Sequence, residues 1–230
     1  MKTIGLIGGM SWESTAVYYR EINERMRQRH GGLVSADILL RSVDFSRIAE
    51  LQQQGLWDQA GAELAQIAQQ LERAGAACVL ICSNTMHKVA AALTEHIEVP
   101  LLHIVDITAE ALQRAGKRRP LLLATRYTME QAFYRERLAA RFAIEALVPD
   151  ADDRSLVHEV IYNELCQGLV RPQSRQAFLD VIARGKAAGA DSVILGCTEI
   201  GLLIGADDGE LAVFDSTFLH AQAAVDFASS

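Results

Sequence analysis

An apolar, strand-like run that stops at a small polar cluster and turns into a helix occurs twice in this chain. Val79-Leu80-Ile81-Cys82 runs into Ser83-Asn84-Thr85, after which Lys88 to Leu93 reads as a helix. Ser192-Val193-Ile194-Leu195-Gly196 runs into Cys197-Thr198-Glu199 on the same plan. Ser83 and Cys197 lie 114 residues apart in a chain of 230. Expected first strands start near Ile4 and Pro120, about 116 apart, and expected fourth strands end at Asp106 and Asp215, 109 apart. A nearly constant offset at three places predicts an α/β fold of two pseudo-symmetric lobes, each a parallel sheet flanked by helices. The boundary is expected near Gly116, giving lobe 1 as 1–116 and lobe 2 as 117–230, with a last helix that can cross back to lobe 1. Ligands of open parallel sheets bind outside the carboxyl ends of the strands. The two corners therefore define an expected active site in the cleft between the lobes.

Taken in order, Thr3–Gly8 is an expected strand ending in the tight turn Gly8-Gly9-Met10-Ser11. Ser11 is placed to cap a helix from about Trp12 to Arg29. Ala36–Val43 reads as a second strand, followed by a loop containing Asp44, Phe45 and Arg47. Trp57–Ala74 reads as a helix by its apolar spacing at Leu64, Ile67, Ala68 and Leu71. Val99–Val105 is the expected fourth strand, with Asp106 as cap of the next helix. The pattern restarts with a strand from Pro120 into Thr125-Arg126-Tyr127-Thr128 and a helix to about Arg141. Another strand is expected over 142–148 and a loop over 149–153. Helices over about 153–168 and 173–188 lead into the Ser192 strand. Leu211–Asp215 and a helix from Thr217 to Ala228 close the chain.

Half of the residues are hydrophobic and 22% are charged, as in ordinary globular proteins. The net charge of −7 argues against nucleic acid, whose recognition needs clustered Lys and Arg. Lys117-Arg118-Arg119 is a compact basic run, but it sits before an expected strand and reads as a solvated turn. The apolar run at the N-terminus is too short for a signal peptide. No run approaches 18 apolar residues, so no membrane partner is expected. Cys78, Cys82, Cys166 and Cys197 lack C-x-x-C spacing and lie in apolar surroundings, which fits thiols in a reducing compartment such as the cytoplasm. The spacing for dinucleotide loops, phosphate loops and hydrolase elbows is missing. Cys78, Cys82 and His87 straddle a strand-to-helix junction that scatters them, so no metal is expected.

A buried strand cysteine is commonly core filler, and Cys78 and Cys166 fit that reading. Cys197 differs because it stands at a strand end, before Thr198-Glu199. A helix N-terminus there would favour the thiolate and bind an anion such as a carboxylate. Ser83, Asn84 and Thr85 hold the equivalent place in lobe 1, where simple helix capping is the competing reading. His103 reads as a strand-end histidine, either satisfied in the core or orienting a cleft residue.

With Ser83-Asn84-Thr85-Met86-His87 and Gly196-Cys197-Thr198-Glu199, the whole chain resembles the aspartate/glutamate racemase family. That resemblance implies an amino-acid racemase with no pyridoxal phosphate, no other cofactor and no metal, acting as a homodimer on a small amino acid. It also implies that Cys197 takes the α-proton of an L-substrate. The family's first-lobe cysteine stands here as Ser83, which is expected to return a proton to the opposite face. Cys82, one residue earlier, points to the other side of the strand. Met10, Ser11, Asn84, Thr85, Thr125, Thr128, Thr198 and Glu199 are the implied substrate-binding residues. Arg47 and Gln52 lie in the expected loop after the second strand, where the resemblance implies groups that reach the substrate side chain, although plain solvation competes for Arg47. Cys166 occupies the place where some aspartate racemases carry a lysine after Ile161-Tyr162, so homoserine-like side chains stand beside aspartate and glutamate. A hydantoin racemase, an arylmalonate decarboxylase-like enzyme and a non-catalytic amino-acid binder remain as alternatives.

Overall fold

The computed structural model describes residues 1–205 and 208–230. Two compact units emerge: Met1–Ile104 with His220–Ser230, and Val105–Leu219. Residues 105–116, assigned by sequence to the first lobe, cluster with the second unit, and the end of the last helix clusters with the first.

In the first unit, β1 (Ile4–Gly8) is central, with β2 (Ile38–Ser42) and β3 (Cys78–Ile81) parallel on either side. Ile4 registers with Ile38 and with Cys78. Alternation along the strands sends side chains to two cores. Cys78, Leu80 and Cys82 join Tyr18, Ile22 and Met26 of α1 (Trp12–His30) and Ala221, Ala224 and Val225 of the last helix. Ile7, Val79 and Ile81 join Leu64, Ala68 and Leu71 of α3 (Trp57–Arg73). Each fully buried Leu, Ile or Val contributes about 1.5–3 kcal/mol of transfer free energy. The turn after β1 requires glycine. Gly9 has φ +91°, and a Cβ there would lie 2.2 Å from the Val43 carbonyl oxygen. Ser11 accepts the Ser14 N–H and caps α1 as expected.

Three expectations for this unit and the helix that follows it are corrected. The expected loop after β2 is α2 (Phe45–Gln53), because Asp44 accepts the Ser46 N–H and caps it. The expected fourth strand over 99–105 shrinks to one bridge, Val79 to Leu101. Side chains claim the backbone groups that a longer ladder would use. The Glu98 and Val99 N–H groups both go to the Glu72 carboxylate, and Pro100 has no N–H to give. The Leu102 carbonyl accepts from His220 Nε2, and the Ile104 N–H donates to His87 Nε2. Helix α5 (Ile104–Arg114) then starts at once after α4 (Ala90–Thr94) and this short connection. Asp106 is consequently inside the first turn of α5, not its cap, and is gripped by Arg137 and Arg141.

The second unit has β5 (Ser192–Leu195) at its centre, flanked in parallel by β4 (Pro120–Leu123) and β6 (Ala212–Asp215). After β4 come α6 (Arg126–Glu130) and α7 (Ala132–Phe142), separated at Gln131 where one helix was expected. The expected strand over 142–148 is a single bridge, Leu121 to Leu147, because α7 runs through Phe142 and ends at Ala143 in the left-handed region, φ 54°. The Asp150 side chain caps α8 (Ala151–Asn163), inside the segment expected to be a loop. After α9 (Pro172–Ala187), β5 and β6, the chain closes with α10 (Ser216–Ala228). With each bridge counted as a strand, both sheets read second, first, third, fourth in space. The fourth place of one sheet and the second place of the other are the reduced ones. No helix among the described residues is long and apolar enough to cross a membrane.

Candidate active site

Each unit places one polar corner at the carboxyl end of its third strand. In the first unit, β3 passes through buried Cys82 to Ser83, and a 3-10 turn over Thr85–Val89 follows instead of the expected α-helix start. The Ser83 hydroxyl accepts the Met86 N–H at 3.4 Å. The His87 N–H goes to the Asn84 carbonyl, so the Ser83 carbonyl accepts instead from His87 Nδ1, at 2.8 Å. Asn84 and Thr85 are buried beside it. Gln52 is buried on the last turn of α2, and its amide donates to the Met86 sulfur at 3.0 Å. Met10 shares the core cluster of Met86 and Ile81, while Ser11 is occupied as the cap of α1. Arg47 lies on the first turn of α2, half exposed, with its guanidinium on Glu63 at 3.0 Å and near Glu50. Cys82 faces the core of α1 and α10, and burial pushes its thiol far above the usual range.

In the second unit, Gly196 lets β5 pass close to β4. A Cβ there would lie 2.9 Å from Leu122 and 3.0 Å from Ala124. Cys197 follows in an extended conformation, and Thr198–Leu202 form a 3-10 turn. The Cys197 thiol donates to the Glu199 carboxylate at 3.0 Å, and the Thr198 hydroxyl donates to the same oxygen at 3.0 Å. Glu199 is buried. Burial raises the Cys197 pKa well above its ordinary value, and the charges of Glu199 and Cys166 raise it further. The sequence expectation of a thiolate favoured by a helix N-terminus is therefore reversed. The turn is too short and too tight to supply an α-helical dipole, and a carboxylate stands where a cation would be needed. Thr125 immediately precedes α6, with its hydroxyl 3.4 Å from that of Thr128, both buried.

Tyr162 and Cys166, four residues apart at the end of α8 and in the turn after it, belong to the electrostatic surroundings of Cys197. The Tyr162 phenol is pushed up first by burial, then by Tyr127, Cys197, Cys166 and Glu199. Their helical spacing was a readable signal. The partnership of His87 with the Ser83 carbonyl was missed, although it also follows a four-residue spacing. The placement of His220 beside it had no signal, since 133 residues separate the two. Among the described residues no group of three His, Cys, Asp or Glu side chains is set to hold a metal ion.

Comparison with known proteins adds to this geometry. A family model described as Asp/Glu/Hydantoin racemase matches residues 7–224. The crystal structure of a candidate Asp/Glu racemase from Yersinia pestis is 49% identical, with a TM-score of 0.94 over 100% of both chains. An aspartate racemase homologue from Pyrococcus horikoshii is 32% identical, with a TM-score of 0.89, again over 100% of both. The broad specificity amino-acid racemase of Bacillus subtilis is 23% identical over 69% of this chain and 67% of its own length.

Proposed function

We propose, for a chain that belongs to the Asp/Glu/Hydantoin racemase family, that it interconverts amino-acid enantiomers with Cys197 as the base on the L-substrate. The observation that carries this reading is the Cys197 thiol 3.0 Å from the buried Glu199 carboxylate at the end of β5. A thiol alone in that setting holds its proton. Paired with Glu199, it has an acceptor within hydrogen-bond reach. The α-ammonium of an arriving amino acid offsets the Glu199 charge, which lowers the cost of forming the thiolate there.

The proposed cycle balances. Cys197 passes its proton to Glu199, and the thiolate removes the α-proton of the L-amino acid, which restores the thiol and leaves a carbanion. Ser83 donates its hydroxyl proton to the opposite face, giving the D-enantiomer. The Met86 N–H receives the resulting alkoxide. Solvent then carries the proton from Glu199 back to Ser83. Asn84, Thr85, Thr125, Thr128 and Thr198 supply donors for the substrate carboxylate, with Met10, Ser11, Gln52 and Arg47 completing the proposed contacts. No cofactor is required by these steps. The enantiomers have equal free energy, so kcat/KM must be the same in both directions. Because a serine hydroxyl is a far weaker acid than a thiol, the asymmetry is expected in kcat, higher from L to D than from D to L.

The proposed substrates are L-aspartate and L-glutamate, following the family and the Pyrococcus horikoshii relative. A broader side-chain range, including homoserine, is the second reading. It is favoured by Cys166, which places a thiol and not a cation among the neighbours of Cys197, and by Arg47, whose charge is already met by Glu63. We also place the enzyme in the cytoplasm as a homodimer. Circular dichroism of L- and D-amino-acid panels incubated with the protein tests the reading. Loss of optical activity from L-aspartate or L-glutamate is expected, and decarboxylation without racemisation would replace it with the decarboxylase alternative.

A further inference from the structure

Behind Ser83 lies a group of buried imidazoles to which the proposed cycle gives no step. His87, His103 and His220 are all buried, with the His87 ring centroid 4.7 Å from that of His103 and 5.7 Å from that of His220. Their hydrogen bonds fix two tautomers. The Ile104 backbone N–H points at His87 Nε2 at 3.2 Å, so Nε2 must accept and the single proton of the neutral ring is on Nδ1. That Nδ1–H donates to the Ser83 carbonyl at 2.8 Å. His220 is set the other way round. Its Nε2–H donates to the Leu102 carbonyl at 2.7 Å, and its Nδ1 accepts the Tyr18 hydroxyl at 2.8 Å.

An α-helix would satisfy the Ser83 carbonyl with the backbone N–H of residue 87. Here that N–H turns to Asn84 in the 3-10 geometry. The imidazole takes the vacated role and ties Ser83 to the segment that begins α5, while the Ser83 hydroxyl accepts from Met86 in the same turn. The backbone angle of Ser83, and with it the direction of its hydroxyl, thus depends on the His87 proton being on Nδ1. His103 and His220 both pack edge-on against this ring.

We infer that His87 is a positioning residue for Ser83. It sets the return of a proton from the serine side, and it has no part in proton removal by Cys197. This rests on the roles assigned above to Ser83 and Cys197. The two roles separate in deuterated water. Cys197 acting alone washes deuterium into recovered L-substrate, whereas forming the D-enantiomer also needs Ser83 correctly aimed.

The test compares His87→Leu, which fills the space without a donor, with His87→Asn, whose amide N–H can reach the Ser83 carbonyl. Both rates are measured on L-aspartate or L-glutamate. In His87→Leu, D-enantiomer formation is expected to fall roughly tenfold to a hundredfold, the scale of a misaimed reacting group. Deuterium uptake into L-substrate should stay near the wild-type rate, which also reports that the variant is folded. His87→Asn should recover most of the lost D-enantiomer formation. Equal losses of both rates in His87→Leu, or D-enantiomer formation unchanged in it, would overturn the assignment. So would a His87→Asn variant no better than His87→Leu. A wild-type protein that exchanges no α-proton at all fails differently, and would remove the racemase reading itself.

Discussion

At the scale of single residues, the proposed chemistry rests on the surroundings of Cys197. Burial and Glu199 push its thiol pKa up, so in the proposed cycle base strength comes from the pair. Removing the carboxylate charge should separate two properties that usually change together. In Glu199→Gln the Cys197 thiol is expected to ionise at lower pH, seen as iodoacetamide alkylation of Cys197 setting in earlier by peptide mapping. Racemisation should nevertheless fall, because the proton acceptor is gone. An unchanged alkylation profile would mean that Glu199 does not govern the thiol. The place of Cys197 just beyond a strand end and the inward turn of Cys82 could be read in the sequence, from strand alternation and the Gly-Cys-Thr-Glu motif. The sign of the Cys197 shift could not, since it depends on where the Glu199 side chain folds back two residues later.

At the scale of elements, the chain announced its long helices and its buried strands because their periodicity is carried by many residues at once. Trp57–Arg73 and Ser192–Leu195 are examples. It was misleading at 99–105 and 142–148, where the apolar pattern is strand-like but the hydrogen bonds go elsewhere. Glu72, His87 and His220 take those of the first segment, and helix α7 extends into the second. Such competition comes from residues distant in sequence, so a local pattern does not carry it. Two substitutions probe the element ends. Ala143 closes α7 at φ 54°, where a side chain costs on the order of 1 kcal/mol. Ala143→Gly is therefore expected to raise the melting temperature by roughly 2–4 °C for a chain of this size. Gly9→Ala should lower it by more than that, because its Cβ would strike the Val43 backbone. Thermal melts of the two variants check both signs.

At the scale of the whole molecule, buried neutral groups set the pH range of stability. Burial lowers the His220 pKa to about 3, assisted by His87. The unfolded chain binds that proton near pH 6.5, so the stabilisation is present above about 6.5 and is lost as pH falls toward 3. The slope from this one group approaches about 1.4 kcal/mol per pH unit. Burial raises the Cys78 thiol to about 12 and Cys82 further still. Unfolded thiols ionise near about 8.5, so stability declines again as pH rises above that value. Urea midpoints should therefore plateau between about pH 6.5 and 8.5, and Cys78→Ala should flatten the alkaline limb. The repeat that dominates the sequence also survives at this scale, as two sheets with one strand order and one polar corner each. What distinguishes the corners in the proposed cycle is that the Cys197 corner carries the base. That is decided by α-proton exchange in deuterated water, followed by NMR on L-aspartate and L-glutamate with the wild type, Cys197→Ala and Cys82→Ala. Deuterium should enter at Cα with the wild type and with Cys82→Ala, and should be lost with Cys197→Ala. Exchange that survives in Cys197→Ala, or is lost only in Cys82→Ala, would contradict the account.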